Sequence, residues 1–278
     1  MAKLGQLNTL QIIKEVDFGV YLNGDHLGEI LLPKRQVPQD ATLNQWLEVF
    51  ISLDSQDRLV ATTDKPFATV GEVAFLRVSD VNRTGAFLNW GMSKDLLVPY
   101  AEQRIPMEEG RSYCVYIYID SSGRIAASSK LSLYLEEYNH DNSFKKGQEV
   151  QLLVASRSDL GYSAVINGTH LGLIHVSEIL QDLRTGQKLK AYIAKIRDDG
   201  KIDLSLQQRG KKGKEELTDK ILEHLEKNGG FSPLADKSDP DAIFKQYRVS
   251  KANYKRAISS LYKGRKITIS AEGITLAP

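Results

Sequence analysis

The chain holds five histidines, at 26, 140, 170, 175 and 224, and one cysteine, Cys114. A metal-dependent hydrolase needs imidazoles spaced to meet on one face, as in His-x-x-x-His, and no pair here has that spacing. A single thiol can form neither an internal disulfide nor a cysteine zinc cluster. There is no Gly-x-Ser-x-Gly elbow, and "GKKGKEE" at 210–216 lacks the spacing of a phosphate-binding loop. The expectation is a protein without catalytic residues, metal or cofactor. What the chain offers instead is patterned cations. Lys251, Lys255 and Arg256 recur at i, i+4 and i+5, and Lys263, Arg265 and Lys266 follow closely. Such groups neutralise phosphates, and aromatic rings beside them can stack on bases.

The charge balance has a direction. The net charge is +2, but residues 1–144 carry 13 Lys/Arg against 19 Asp/Glu, whereas residues 145–278 carry 24 against 16. A polyanion should therefore favour the C-terminal half. No apolar run reaches the length of a membrane span and the N-terminus lacks a secretory core, so no membrane partner is expected and cytoplasm is the expected location.

The elements that must position these groups are written as a repeat. "NGDHLG" at 23–28 returns as "NGTHLG" at 167–172. Laying 18–33 over 162–177 needs no gap, and "TGAFLNWGMSKDLLVP" at 84–99 forms another copy. In the first unit Leu47, Val49, Ile51 and Leu53 alternate with Glu48, Phe50 and Ser52, the period of a half-buried strand. Asn23-Gly24 and Asn167-Gly168 predict tight hairpins, and "DSSG" and "DDG" predict later ones. On this reading His26 and His170 are surface or turn residues. Units of about 60 residues with five strands describe OB-type barrels. The expected organisation is barrels over 1–65, 66–143 and 144–208, a basic linker at 207–214, and a different domain over 212–278. In that last domain Leu217, Ile221 and Leu225 mark one helix and Asp239-Pro240 starts another. Ser250 caps a third, with an apolar stripe of Tyr254, Ala257, Ile258 and Leu261. "RKITISAEGITLA" supplies a terminal hairpin, completing a winged helix. The fold class is mainly β with a small α+β tail.

"GYSAVINGTHLGLIHVSEI" and "GQKLKAYIAKIRDDGKIDLSL" resemble the RNA-binding OB domain named after ribosomal protein S-one. The whole chain, with "DKSDPDAIFKQYRVSKANYKRAISSLYKGRKI", resembles the conserved virulence factor B family of bacterial RNA-binding regulators. The resemblance implies stacking side chains on the second and third strands of each barrel: Tyr162 and His175 in the third, Phe18 and Tyr21 in the first, Phe87 in the second. Leu31 and Leu97 are matched to His175, and Pro33 and Pro99 to Ser177. Phe18 and Tyr21 differ in strand parity, so they share a face only if Gly19 bends the strand. Basic support in the third barrel comes from Arg157, Lys188, Lys190, Lys195 and Arg197. In the winged helix Asn253 is the one candidate for reading a base. The implied function is post-transcriptional regulation through single-stranded RNA. The alternative is a transcription regulator whose winged helix binds DNA while barrels one and two dock a protein partner.

Overall fold

The structure, a computed structural model, describes residues 1–176, 179, 183–207 and 211–277, with side chains from 215 onward in the last segment. It forms two compact units, Met1–Leu135 and Glu136–Pro278.

The first barrel consists of β1 (Leu7–Val16), β2 (Gly19–Asn23), β3 (Glu29–Pro33), β4 (Trp46–Leu53) and β5 (Leu59–Thr62), closed in the order β1-β2-β3-β5-β4. Its alternating apolar residues turn inward: Leu10, Ile12, Val20, Leu22, Ile30, Leu32, Val49 and Ile51 form one buried cluster. The second contains β6 (Val73–Asn82), β7 (Gly85–Asn89), β8 (Leu96–Pro99), β9 (Ser112–Ile119) and β10 (Ile125–Ser128). It is an open sheet of order β10-β9-β6-β7-β8, lacking the ladder that would close it. The third, β11 (Glu149–Ser158), β12 (Gly161–Ile166), β13 (His170–His175), β14 (Lys188–Ile196) and β15 (Ile202–Ser205), is closed like the first.

One glycine recurs at the start of the second strand of each barrel. Gly19, Gly85 and Gly161 have φ of 155°, 157° and 140°, and a Cβ there would lie 2.2, 2.3 and 2.0 Å from the carbonyl oxygen of Leu32, Val98 and Ile174. Only glycine fits so close to the neighbouring strand. These residues pair with Pro33, Pro99 and His175. The barrels are therefore in register at offsets of 66 and 142, whereas the hexapeptide echo runs at 144. The echo makes two different turns. Asn167 and Gly168 both have positive φ, 49° and 78°, and close a tight hairpin. Gly24 has φ −88°, and residues 24–28 form a wider loop closed by Gly24 N–H donating to Gly28 O at 2.9 Å.

Phe50 breaks the in–out rule. It lies on the outer side of β4, opposite Leu7, yet it is fully buried because it enters the core of the second barrel. There it meets Trp90 edge-on, ring centroids 5.6 Å apart. Arg124 of the second barrel forms an ion pair with Asp57 of the first.

The last domain contains α1 (Lys211–Lys227), β16 (Phe231–Ser232), α2 (Pro240–Tyr247), α3 (Lys251–Lys263), β17 (Ile267–Ile269) and β18 (Ile274–Leu276). Asp239 caps α2 and Ser250 caps α3, accepting from the N–H of Asp241 and Asn253. Tyr254, Ala257, Ile258 and Leu261 turn into the core as the stripe requires. The terminal hairpin gains a third strand, β16, too short for periodicity to reveal. The expected linker at 207–214 is corrected from Lys211 onward, where α1 has begun; 208–210 lie outside the described residues. No helix among the described residues is long and apolar enough to cross a membrane.

Candidate nucleic-acid interface

The common register places three outer residues side by side in each barrel. In the first they are Lys14, Tyr21 and Leu31; in the second Asp80, Phe87 and Leu97; in the third Ser156, Ser163 and Leu173. Tyr21 and Phe87 thus occupy equivalent half-buried stations, and the third barrel has serine there.

The first barrel carries exposed aromatic rings. Phe18 is 57% exposed and meets Tyr21 edge-on at 6.4 Å, because the bend at Gly19 brings the two rings to one face. The Lys14 ammonium lies 5.6 Å from the Tyr21 ring centroid. Trp46, opposite Gln11 on β1, is 62% exposed. Sequence reasoning missed Trp46, although its parity, opposite to that of buried Leu47, marks it as outward-facing.

Tyr162 is corrected. It occupies the station of Val20 and Ala86, facing the interior, and belongs to the buried cluster with Val154, Ala164, Ile174 and Ile193. The two-residue error came from following the echo instead of the bent glycine. Arg157, its ladder partner, is exposed, with its guanidinium 5.9 Å from the Tyr162 ring centroid. The match of His175 to Leu31 and Leu97 is corrected likewise: its equivalents are Pro33 and Pro99. Ser177 lies outside the described residues. His170 is also corrected, from surface to core: it is 5% exposed, edge-on to Phe144. His26 is exposed.

His175 is held in a polar knot. Its Nε2 is 2.9 Å from Asp203 Oδ1 and 3.0 Å from Arg197 Nη2, and Arg197 donates twice to the same carboxylate oxygen, at 2.9 and 2.6 Å. Burial pushes the Asp203 carboxyl upward, but the bonds from Arg197 and His175 outweigh it and hold the group below the usual carboxylate range. Asp203 and its bond raise the Arg197 guanidinium further. Arg197 is therefore committed to structure as well as being half-exposed. Lys190 is paired with Glu149 at 2.9 Å, whereas Lys188 and Lys195 are exposed with no ion pair among the described residues.

On α3, Lys255 and Arg256 are exposed, and Lys255 Nζ is 3.9 Å from Asp236. Lys251 is half-buried and donates to the Lys237 carbonyl. Lys263, Arg265 and Lys266 are exposed beyond it. Asn253 does not fit a base-reading role in this arrangement: its side-chain amide donates to Gln207 Oε1 at 2.6 Å. No group of three or more His, Cys, Asp or Glu among the described residues is placed to hold a metal ion.

Tandem OB-type barrels followed by a winged helix define the class. The S1 domain family matches residues 4–64 and 70–130, the two barrels with the aromatic outer stations, and the CvfB-like winged helix domain matches 219–276. The chain is 30% identical to YitL of Bacillus subtilis strain 168 over 95% of this chain and 90% of that protein. It is 24% identical to conserved virulence factor B of Staphylococcus epidermidis ATCC 12228, over 98% and 94% respectively. A crystal structure of a multidomain protein with nucleic acid binding domains from Streptococcus pneumoniae TIGR4 is 27% identical, with 98% of each chain covered and a TM-score of 0.42. The chain belongs to the conserved virulence factor B family.

Proposed function

We propose that this protein binds single-stranded RNA and regulates gene expression through it. The observation that carries the reading is the set of exposed cations in the second unit: Arg157, Lys188 and Lys195 on the third barrel, and Lys255, Arg256, Lys263, Arg265 and Lys266 on the winged helix. These groups suit phosphates. On the first barrel the Phe18–Tyr21 pair and Trp46 supply rings for bases, with Phe87 a smaller counterpart in the second.

The test is a titration of the full chain with a pyrimidine-rich RNA strand and with duplex DNA of equal length, over a range of salt. RNA should bind more tightly. Replacing Lys251, Lys255 and Arg256 together by alanine should lower the salt slope by up to about 2, since each phosphate contact on a single strand contributes about 0.7. Preference for the duplex would favour a DNA-binding regulator, and an unchanged slope would remove α3 from the interface.

A further inference from the structure

Helix α3 has one buried and one open face. Its sequence, KANYKRAISSLYK, contains no acid, and its exposed side runs through Lys255, Arg256, Ser259, Tyr262 and Lys263. Tyr262 is 56% exposed. Tyr247 and Tyr254 of the same domain stack on each other at 5.2 Å, but among the described residues Tyr262 has no ring or cation partner. Ser259 lies one turn before it and is too small to cover the ring. A lone exposed aromatic side chain is ordinary. This one shares the exposed side of an acid-free helix with Lys255, Arg256 and Lys263, and that changes what it can do.

A duplex offers a protein its phosphates and the edges of its bases, while the flat faces are hidden in the stack. A tyrosine ring gains from stacking only where a base face is free, which requires an unpaired strand. From this we infer that the outer face of α3 is a single-strand site, in which Tyr262 stacks on an unpaired base and Lys255, Arg256 and Lys263 hold the flanking phosphates. The inference rests on the reading that this protein binds RNA, and it names the residue by which the winged helix distinguishes a strand from a duplex.

The full chain should be compared with Tyr262→Ala, Tyr262→Gln and Tyr262→Phe, using fluorescent pyrimidine-rich RNA and a duplex of equal length. Loss of one stack corresponds to about 5- to 150-fold weaker RNA binding. That loss is expected for Ala and Gln, with duplex binding and thermal melting nearly unchanged and with Phe behaving as the parent. Gln keeps helix propensity, so it separates loss of the ring from loss of the helix. The inference is overturned if Ala and Gln bind RNA like the parent, if they lose RNA and duplex by the same factor, or if Phe fails as they do. Failure of the parent chain itself to bind the strand would overturn the RNA reading and this inference together.

Discussion

The first and third barrels share strand order, the bent glycine and the same pairing of β2 with β3 and β12 with β13, yet their outer faces carry different chemistry. Where the first sets Lys14, Tyr21 and Leu31 abreast, the third sets Ser156, Ser163 and Leu173. Where the first has Pro33, the third has His175 bound to Asp203 and Arg197. The interior differs as well, with Val20 in one and Tyr162 in the other. A closed barrel fixes which stations face out, and leaves the residue at each station free to change. The third barrel buries its tyrosine, where the first carries Tyr21 on its outer face.

Five substitutions bear on that contrast. Tyr162→Ala should have the largest effect, destabilising the third barrel by about 3 kcal/mol or more through the cavity it leaves. Denaturant unfolding of the full chain should reveal it; normal stability with weakened RNA binding would put the ring back on the surface. Tyr21→Ala should cost about 1–3 kcal/mol of RNA affinity with little change in melting, and Ser163→Ala at the same station of the third barrel should cost none.

Arg197→Ala acts on the knot. Because Asp203 has its carboxyl lowered by folding, its contribution is complete above the unfolded carboxylate pKa of about 3.9 and fades as pH falls through the folded value. Removing Arg197 should raise that folded value toward the unfolded one, make the acid loss between the two smaller and cost about 1 kcal/mol near neutrality, discounted for partial exposure. Unfolding measured across acid pH would check the sign. The smallest nonzero effect expected is a gain. Asp80→Lys would give Phe87 the cation that Lys14 gives Tyr21, and should strengthen RNA binding by about 0.5–1 kcal/mol in the same titration.

Sequence reading recovered the three barrels and the winged helix because period-2 alternation, helix caps and repeated turns are local signals. Asp239 and Ser250 announce their helices by chemistry that acts within three residues. Register is less local. The echo at 23–28 and 167–172 is more conspicuous than a single glycine, but the ladder is fixed where Gly19, Gly85 and Gly161 approach the next strand. Shifting the comparison by two residues preserved strand parity, so nothing in the alternation exposed the error. The ion pair of Lys190 with Glu149, and the bond of Asn253 to Gln207, depend on partners 41 and 46 residues away. A cation's sequence context does not reveal whether it is already occupied.

Phe50 limits how far the repeat can be treated as modular. The chain repeats by unit, but this side chain belongs to one barrel by sequence and to the next by packing. Excising the first barrel by itself would leave its Phe50 side chain in water, forfeiting about 1.5–3 kcal/mol and creating a sticky patch. The smallest excisable piece of this half is therefore the pair, and the two barrels should melt in one cooperative transition instead of two.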